Sequence, residues 1–168
     1  MTRVTAADRR VFHCDEMEAV LFVGLQAAGK STFYRERFFD THVRINLDML
    51  RTRRREALLL AACLEGQQRF VVDNTSSTAA ERARYIAPAR AAGFRVVGYY
   101  FLPEPRACAA RNAARPADRR VPAAAIFGTA KRLEPPAPAE GFDALYAVTL
   151  APGGGFVVAE WPGAAAEA

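Results

Sequence analysis

The 168-residue sequence lacks a hydrophobic stretch long enough to cross a membrane. Its longest uncharged apolar run, Ala19 to Ala28, falls far short of the roughly 20 residues that span a bilayer. The stretch from Met1 to Asp15 is charged and has no apolar segment of the kind that secretory signals contain. We therefore expect neither a membrane span nor a secretory signal.

Cysteine is scarce, with Cys14, Cys63 and Cys108 forming an odd number without C-x-x-C spacing. This usage favours a reducing cytoplasm and argues against a zinc site. The hydrophobic fraction of 51% excludes a disordered chain. The length suffices for one domain with its own core, held together without a disulfide or a structural metal.

Lysine is almost absent although the net charge is +5, since Lys30 and Lys131 are the only lysines among 23 cationic residues. The excess of arginine reflects either a biased coding composition or a phosphate-rich partner, because guanidinium groups match phosphate oxygens. Residues 44–55 contain five arginines and one acid, a net +4. Residues 104–134 contain seven cations and three acids, again +4. This concentration in two stretches favours the phosphate-rich partner.

Apolar β-branched and aromatic runs alternate with helix-like stretches, which is typical of an α/β fold. Strands are predicted over residues 19–23, 43–47, 70–72 and 94–101, with a last strand or hairpin over 145–150 and 155–160. Helices are predicted over residues 30–39, 48–65, 78–92, 105–114 and 122–133, and a polar loop over 115–121. We expect the domain to cover residues 18–161, with a tail or added strand over 1–17 and a tail over 162–168.

Residues 24–31 read Gly-Leu-Gln-Ala-Ala-Gly-Lys-Ser, a complete GxxxxGK[ST] motif between a predicted strand and a predicted helix. Its glycines let the backbone N–H groups point at phosphate oxygens, and the helix N-terminus adds its positive dipole. Lys30 is expected to reach the β- and γ-phosphates, and the Ser31 hydroxyl to bind Mg²⁺. The residues expected to hold ATP here are Gly24, Gln26, Ala27, Ala28, Gly29, Lys30, Ser31 and Thr32.

The motif, its context and the alternating pattern together predict a P-loop NTPase fold. This is a three-layer α/β/α arrangement with a central, mostly parallel sheet, to which we expect an arginine-bearing lid to be added. ATP and Mg²⁺ are the cofactors that such a loop implies.

Two aspartates follow predicted strands at the carboxyl edge of the sheet, where α/β proteins bind ligands. Asp48 is placed to accept the proton of an attacking hydroxyl, although it is equally suited to cap the next helix. Asp73 stands in the position of a Walker-B carboxylate and would hold Mg²⁺ together with Ser31, the alternative being an Asx turn. Asn74 and Thr75 follow, with side chains that could face the nucleotide.

Three arginines are candidates for phosphate contacts. Arg51 lies three residues after Asp48, so a helix would place both on one face, where Arg51 would orient a phosphate of the acceptor. Arg111 and Arg115 precede the polar loop at i,i+4 spacing, and a closing lid would bring them to the developing charge. Ordinary surface charge is the alternative for these lid residues.

The chain resembles the kinase domain of polynucleotide kinase/phosphatase enzymes, which phosphorylate 5′-hydroxyl ends of DNA or RNA. The resemblance rests on seven stretches in order: Gly24 to Thr32, Val43 to Arg51, Val71 to Thr75, Glu81 to Tyr85, Arg111-Asn112 with Arg115, Val121-Pro122 and Glu140 to Phe142. Two places differ from the family, because Asn46-Leu47 replaces its usual Asn-Arg and Gln26-Ala27 its frequent Pro-Gly.

The resemblance implies that Asp48 is the general base, that Arg51 binds the phosphate next to the acceptor hydroxyl, and that Asn74 lines the site. It also implies that Arg115, together with Arg111, is the lid arginine on the ATP phosphates. Asp48, Lys30 and Arg115 are then the expected catalytic residues. The absence of a DxDxT/V motif predicts that the chain has no phosphatase activity.

The sequence therefore predicts a Mg²⁺-dependent kinase that transfers the γ-phosphoryl group of ATP to a nucleic-acid 5′-hydroxyl end. Two alternatives stay open. A small-molecule kinase acting on a nucleoside, sugar or antibiotic hydroxyl would have a closed, partly apolar acceptor pocket instead of an open basic channel. A non-enzymatic nucleotide-binding module would leave Asp48 out of reach of the γ-phosphate.

Overall fold

A mixed sheet of six strands forms the centre of the computed structural model, which describes residues 17–163. The strands are β1 (Glu18–Val23), β2 (Val43–Ile45), β3 (Phe70–Val72), β4 (Arg95–Phe101), β5 (Ala144–Leu150) and β6 (Phe156–Glu160). Their order in the sheet is β2-β3-β1-β4-β5-β6, and all neighbours are parallel except β5 and β6. The predicted α/β class with a mostly parallel sheet is confirmed, as is the predicted terminal hairpin.

Helices occupy the connections between these strands. They are α1 (Lys30–Arg37), α2 (Leu47–Leu50), α3 (Arg53–Glu65), α4 (Ala79–Ala91), α5 (Pro105–Ala113) and α6 (Ala123–Arg132), with short 3-10 turns at Ala117–Arg119 and Pro138–Glu140. Within residues 17–163, no helix has both the length and the apolar character needed to cross a membrane. The tail or strand expected over 1–17 lies outside the described residues except for Met17, and so do residues 164–168 of the expected second tail.

The sheet is buried on both faces, and β1 shows how. Val20 and Phe22 belong to one apolar core, which includes residues of α1, α5 and α6, whereas Ala19 and Leu21 belong to a second core with residues of α3 and α4. Successive strand residues point to opposite faces, so a strand between two helical layers must be apolar at every position. The predicted three-layer arrangement follows from this packing.

The helix predicted over 48–65 is wrong as a single element, because the chain forms α2 and α3 instead. Arg51 has a left-handed backbone with φ 69°, a conformation that ends a helix. Thr52 then caps α3 by accepting a hydrogen bond from the Arg55 amide at 3.2 Å. Arg51 therefore does not continue the helix that contains Asp48, and the predicted shared helical face does not exist.

The segment between α5 and α6 (residues 114–122, the lid loop) corresponds to the predicted polar loop and contains the 3-10 turn at Ala117–Arg119. Asn112 closes its base, because the side-chain amide donates to the Val121 carbonyl at 2.7 Å and accepts from the Val121 amide at 3.1 Å. The exposed residues 116–120 project between these anchored ends.

Candidate active site

The loop between β1 and α1 (residues 24–29, the phosphate loop) has a backbone that depends on its glycines. A Cβ atom on Gly24 would lie 2.8 Å from the Cβ atom of Phe101, so no side chain fits there. Gly29, with φ 99°, is the N-cap of α1. Ala27 also has a left-handed φ of 59°. This conformation costs an alanine about 1–2 kcal/mol.

Lys30 is buried at the start of α1, with its ammonium directed back at the phosphate loop. Its Nζ atom donates hydrogen bonds to the carbonyl oxygens of Gly24, at 2.9 Å, and Leu25. Burial lowers the pKa of Lys30 to about 8, because the charged form loses its hydration. A phosphate in the loop would favour the charged form.

Several ionisable groups act on the Lys30 ammonium, among them three that the sequence predicted for the site. The carboxylates of Asp73 and Asp48 raise the pKa of Lys30, whereas the guanidinium of Arg115 lowers it, although burial remains the largest influence. The structure thus places Asp48 and Arg115, two of the predicted catalytic residues, within electrostatic range of the third, Lys30.

Ser31 and Asp73, the two predicted metal ligands, are in direct contact. The Ser31 hydroxyl donates to Asp73 Oδ2 at 2.9 Å, and Asp73 is only 3% exposed. A hydroxyl and a carboxylate are oxygen ligands of the type that Mg²⁺ prefers, so this pair fits the ion. Within residues 17–163, no group of three His, Cys, Asp or Glu residues is arranged to hold a metal, so water or phosphate oxygens would complete the coordination of Mg²⁺.

Arg44 on β2 is a site residue that the sequence analysis counted only as part of a charged segment. Its Nε and Nη2 atoms donate to Asp73 Oδ2 at 2.9 and 2.5 Å, and Nη2 also donates to Ser31 Oγ at 2.8 Å. The pairing of Ile45 in β2 with Val72 in β3 sets the position of Arg44. Arg44 stands one residue before the end of β2 and so lies close to Asp73, which directly follows β3.

Hydrogen bonds of its neighbours position Asp48 at the carboxyl edge of the sheet. Asn46, and not Asp48, caps α2, accepting a hydrogen bond from the Met49 amide at 2.9 Å. The Asn74 side chain accepts from the Leu47 amide at 2.9 Å, which ties α2 to the end of β3. Asp48 itself is exposed, and its carboxylate makes no hydrogen bond or ion pair with residues 17–163. A carboxylate without such a partner is able to accept a proton from a ligand.

A cavity of about 220 Å³ lies beside Asp48, next to the phosphate loop. It is lined by Gln26, Leu47, Asp48, Arg53, Asn74, Thr75, Ser76, Glu81, Arg84, Tyr85 and Val121. We call the part formed by α2, α3 and α4 (Asp48, Arg53, Glu81, Arg84 and Tyr85) the acceptor wall. Its charged side chains are two acids and two arginines.

The predicted residues Gln26, Asp48 and Asn74 all line this cavity, whereas Arg51 does not. Arg53 takes a lining position instead, since the break after α2 rotates the following arginines relative to Asp48.

A buried glutamate, Glu56, organises the acceptor wall and was missed by the sequence analysis. Its carboxylate accepts hydrogen bonds from Asn74 Nδ2 at 2.7 Å, Tyr85 OH at 2.8 Å and Arg53 Nη1 at 2.7 Å. Burial, together with the hydrogen bond to Glu56, raises the pKa of Tyr85 to about 12. Both ends of the Asn74 side-chain amide thus bond within the protein, to Leu47 and to Glu56, and this positions α2. A lone acid after three consecutive arginines was the available clue in the sequence.

Arg82 anchors α4 behind the acceptor wall. Its fully buried guanidinium donates to both carboxylate oxygens of Glu140, at 2.6 and 2.7 Å, and to the carbonyl oxygens of Ser76 and Glu134, both at 3.0 Å. An ion pair therefore connects two stretches that are far apart in the sequence, Glu81 to Tyr85 and Glu140 to Phe142.

The helices before and after the lid loop, α5 and α6, both contact the phosphate loop. Arg111 Nε donates to the Ala27 carbonyl at 2.8 Å, and Gln26 Nε2 donates to Thr129 Oγ1 of α6 at 3.0 Å. The guanidinium of Arg115, by contrast, forms no hydrogen bond or ion pair with the described residues. Of the two predicted lid arginines, Arg115 is the one with its donors available to a ligand.

Comparison with solved structures shows three proteins of similar fold. Kti12 of Chaetomium thermophilum, solved in complex with ADP-AlF3, has 15% identity and a TM-score of 0.59, covering 78% of this chain and 88% of its own. A gluconokinase from Sinorhizobium meliloti has 18% identity and a TM-score of 0.55, covering 80% and 83%. The PezAT chromosomal toxin–antitoxin system of Streptococcus pneumoniae gives 12% identity and a TM-score of 0.58, covering 84% and 72%.

The match to a family model is more specific than these likenesses of fold. Residues 20–136, which are well over half of the chain, match the model of an AAA domain family. The matched segment begins in β1, includes the phosphate loop and the acceptor wall, and ends beyond α6. The chain is therefore a member of this AAA domain family and has a P-loop NTPase-like α/β fold.

Proposed function

We propose that the protein is an ATP-dependent kinase in which Asp48 is the general base toward an acceptor hydroxyl. The observation that supports this most is the placement of Asp48: an exposed carboxylate without a protein partner, lining a cavity that also reaches Gln26 of the phosphate loop. A general base must reach the hydroxyl that attacks the γ-phosphate. This cavity adjoins both Asp48 and the phosphate loop, so a hydroxyl inside it would lie between the base and the triphosphate. The structure of Kti12 in complex with ADP-AlF3 supports nucleotide binding in this fold.

The other residues have complementary tasks in this proposal. The phosphate loop and Lys30 bind the β- and γ-phosphates, and Arg115 neutralises charge on the group being transferred. Ser31 and Asp73 would hold Mg²⁺, which, when bound, neutralises phosphate oxygens. Glu56 and Asn74 keep α2, and with it Asp48, at a fixed distance from the sheet edge.

For the acceptor, the cavity favours a small polar compound that offers a hydroxyl group. The acceptor wall has balanced charge, with Asp48 and Glu81 against Arg53 and Arg84, and Arg53 is further neutralised by Glu56. Such a cavity suits a neutral or singly charged molecule better than a polyanion. A gluconokinase of similar fold agrees with an acceptor of this size.

A nucleic-acid 5′-hydroxyl end is the second candidate, and the exposed arginines on the solvent side of α3 favour it. Arg51, Arg54 and Arg55 are exposed near the start of this helix, outside the cavity. A terminal sugar in the cavity would leave the next phosphates of the strand available to these guanidinium groups. Phosphate neutralisation of this kind makes binding strongly salt-dependent.

The test is the transfer of labelled γ-phosphoryl from ATP to two sets of acceptors: sugars and nucleosides on one side, 5′-hydroxyl oligonucleotides on the other. We expect labelled product with a small acceptor, and we expect the amount of this product to change little between low and high salt. If product formed only with oligonucleotides, and its amount fell steeply as the salt concentration rose, the acceptor would be a nucleic-acid 5′-hydroxyl end. A wild-type protein that binds ATP but labels neither set would contradict the kinase proposal. Lys30→Met serves as the variant without transfer.

A further inference from the structure

The guanidinium of Arg44 occupies the same oxygen atoms that would bind Mg²⁺. Asp73 Oδ2 accepts three hydrogen bonds, one from the Ser31 hydroxyl and two from Arg44. Ser31 Oγ donates its hydrogen to Asp73 and accepts from Arg44 Nη2 at 2.8 Å. Every contact that these two oxygens need is already supplied within the protein.

A metal ion and this guanidinium exclude each other on electrostatic and steric grounds. Mg²⁺ binds through the lone pairs of its oxygen ligands, and the lone pairs of Ser31 Oγ and Asp73 Oδ2 are directed at Arg44. Two adjacent cations on one carboxylate oxygen would also repel each other. Binding of the ion through Ser31 Oγ and Asp73 Oδ2 therefore requires Arg44 to move.

Arg44 is able to move, whereas Asp73 is not. The Arg44 side chain is 29% exposed on β2, the edge strand of the sheet, and its Cζ atom lies 5.6 Å from the centre of the Tyr34 ring. The Asp73 side chain is 2% exposed and continues directly from buried β3. A carboxylate buried to this degree needs a cation at all times, because an unpaired buried charge is strongly destabilising.

We propose that Arg44 is a built-in counter-ion that competes with the divalent cation for Ser31 and Asp73 and thereby weakens metal binding at this site. The inference rests on the proposed binding of a metal–nucleotide complex. Its consequence is that nucleotide binding depends less on Mg²⁺ than the Ser31–Asp73 pair alone would dictate, since Arg44 neutralises Asp73 when no metal does.

The first measurement is the affinity of the full chain for ADP, by calorimetry, with Mg²⁺ and with a chelator. Arg44→Gln removes the guanidinium from Asp73, so that Mg²⁺ no longer competes with a cation for the carboxylate. In this variant we expect Mg²⁺ to tighten ADP binding at least about tenfold more than it does in the wild type. Arg44→Lys, which keeps a cation but loses the two-pronged contact, should lie between them. Arg106→Gln removes an exposed arginine of α5 and should behave as the wild type.

A second measurement, titration with Mn²⁺ alone followed by electron paramagnetic resonance, needs neither nucleotide nor turnover. We expect Arg44→Gln to bind Mn²⁺ more tightly than the wild type and to gain more thermal stability from it, because the ion replaces the lost partner of Asp73. If Arg44→Gln does not fold, the same comparison is made with Arg44→Lys.

The two proposals fail in different ways. Equal Mg²⁺ and Mn²⁺ responses of the wild type and the Arg44 variants would overturn the competition. A wild type that binds no ADP under either condition would overturn the proposed function, and the Mn²⁺ titration would then decide the role of Arg44 alone.

Discussion

The phosphate loop and the acceptor wall meet at one edge of the sheet, yet they are stabilised in different ways. The phosphate loop is a continuous segment whose shape depends on its own backbone, with Gly24 packed against Phe101 and Gly29 capping α1. The acceptor wall is assembled from three helices and is held by side-chain networks around Glu56 and Arg82. We therefore expect substitutions in the loop to act on ligand binding, and substitutions behind the wall to act first on folding.

The largest effect on stability is expected for Arg82, compared with its near neighbour Arg84. Arg82→Leu leaves the Glu140 carboxylate without its partner and frees two buried carbonyl oxygens, which should cost about 3–5 kcal/mol of unfolding free energy. Arg84→Leu, at an exposed position of the acceptor wall, should change it by no more than about 0.5 kcal/mol. Urea unfolding measures both. Equal losses would mean that Arg82 does not anchor α4.

A smaller effect is expected at the centre of the acceptor wall. Glu56→Gln keeps the shape of the side chain but weakens the hydrogen bonds from Asn74, Tyr85 and Arg53, which should lower the unfolding free energy by about 1–3 kcal/mol. Nucleotide affinity, measured by calorimetry, should stay at the wild-type value because no contact of Glu56 reaches the phosphate loop. A clear loss of nucleotide affinity would show that loop and wall are coupled.

In the phosphate loop, the corresponding prediction concerns pH. The pKa of Lys30 is about 8, below its usual 10.5, so the ammonium loses its proton as pH rises through 8. Phosphate binding favours the charged form; nucleotide affinity should therefore fall by up to about tenfold per pH unit above 8. Affinity that stays constant between pH 7.5 and 9.5 would contradict this. In Lys30→Met, the pH dependence should disappear.

The same pKa has the opposite effect on the stability of the protein without nucleotide. Between pH 8 and 10.5 the unfolded chain binds more protons at Lys30 than the folded chain does, so this residue makes the unfolding free energy rise with pH in that window. The pH dependence of urea unfolding, compared between the wild type and Lys30→Met, isolates this contribution.

The smallest expected effect is a gain at Ala27. Ala27→Gly relieves the left-handed backbone strain at φ 59°, while the added freedom of glycine in the unfolded chain offsets part of the gain. We expect an increase of about 0.5–1 kcal/mol in the unfolding free energy, measured by urea unfolding. A loss of stability would mean that the Ala27 methyl group, which is buried in the core, contributes more than the strain costs.

The difference between a continuous loop and a wall assembled from three helices also explains which features the sequence could reveal. The phosphate loop, Lys30 and Ser31 lie within one short motif, and Asp48 and Asp73 directly follow apolar strands, so local patterns were sufficient to find them. Arg44, Glu56 and Arg82 instead contact residues that lie 29, 18 and 58 positions further along the chain. Such contacts depend on strand order and helix packing, which no local pattern contains.

The break at Arg51 escaped prediction for a similar reason. The residues around it are good helix formers, and the interruption arises because Thr52 and Asn46 each cap a separate helix. This interruption at residues 51–52 places Arg53, and not Arg51, in the lining of the cavity. A phosphate contact of Arg51 outside the cavity remains a prediction.

The most direct test of the central claim is single-turnover transfer of the γ-phosphoryl group by Asp48→Asn at saturating ATP. With Asp48 as general base, the rate of transfer should fall by about 10²- to 10⁴-fold while the affinity for ATP remains that of the wild type. Asp40→Asn, which removes an exposed carboxylate after α1, should transfer at the wild-type rate. Transfer by Asp48→Asn at the wild-type rate would contradict the assignment.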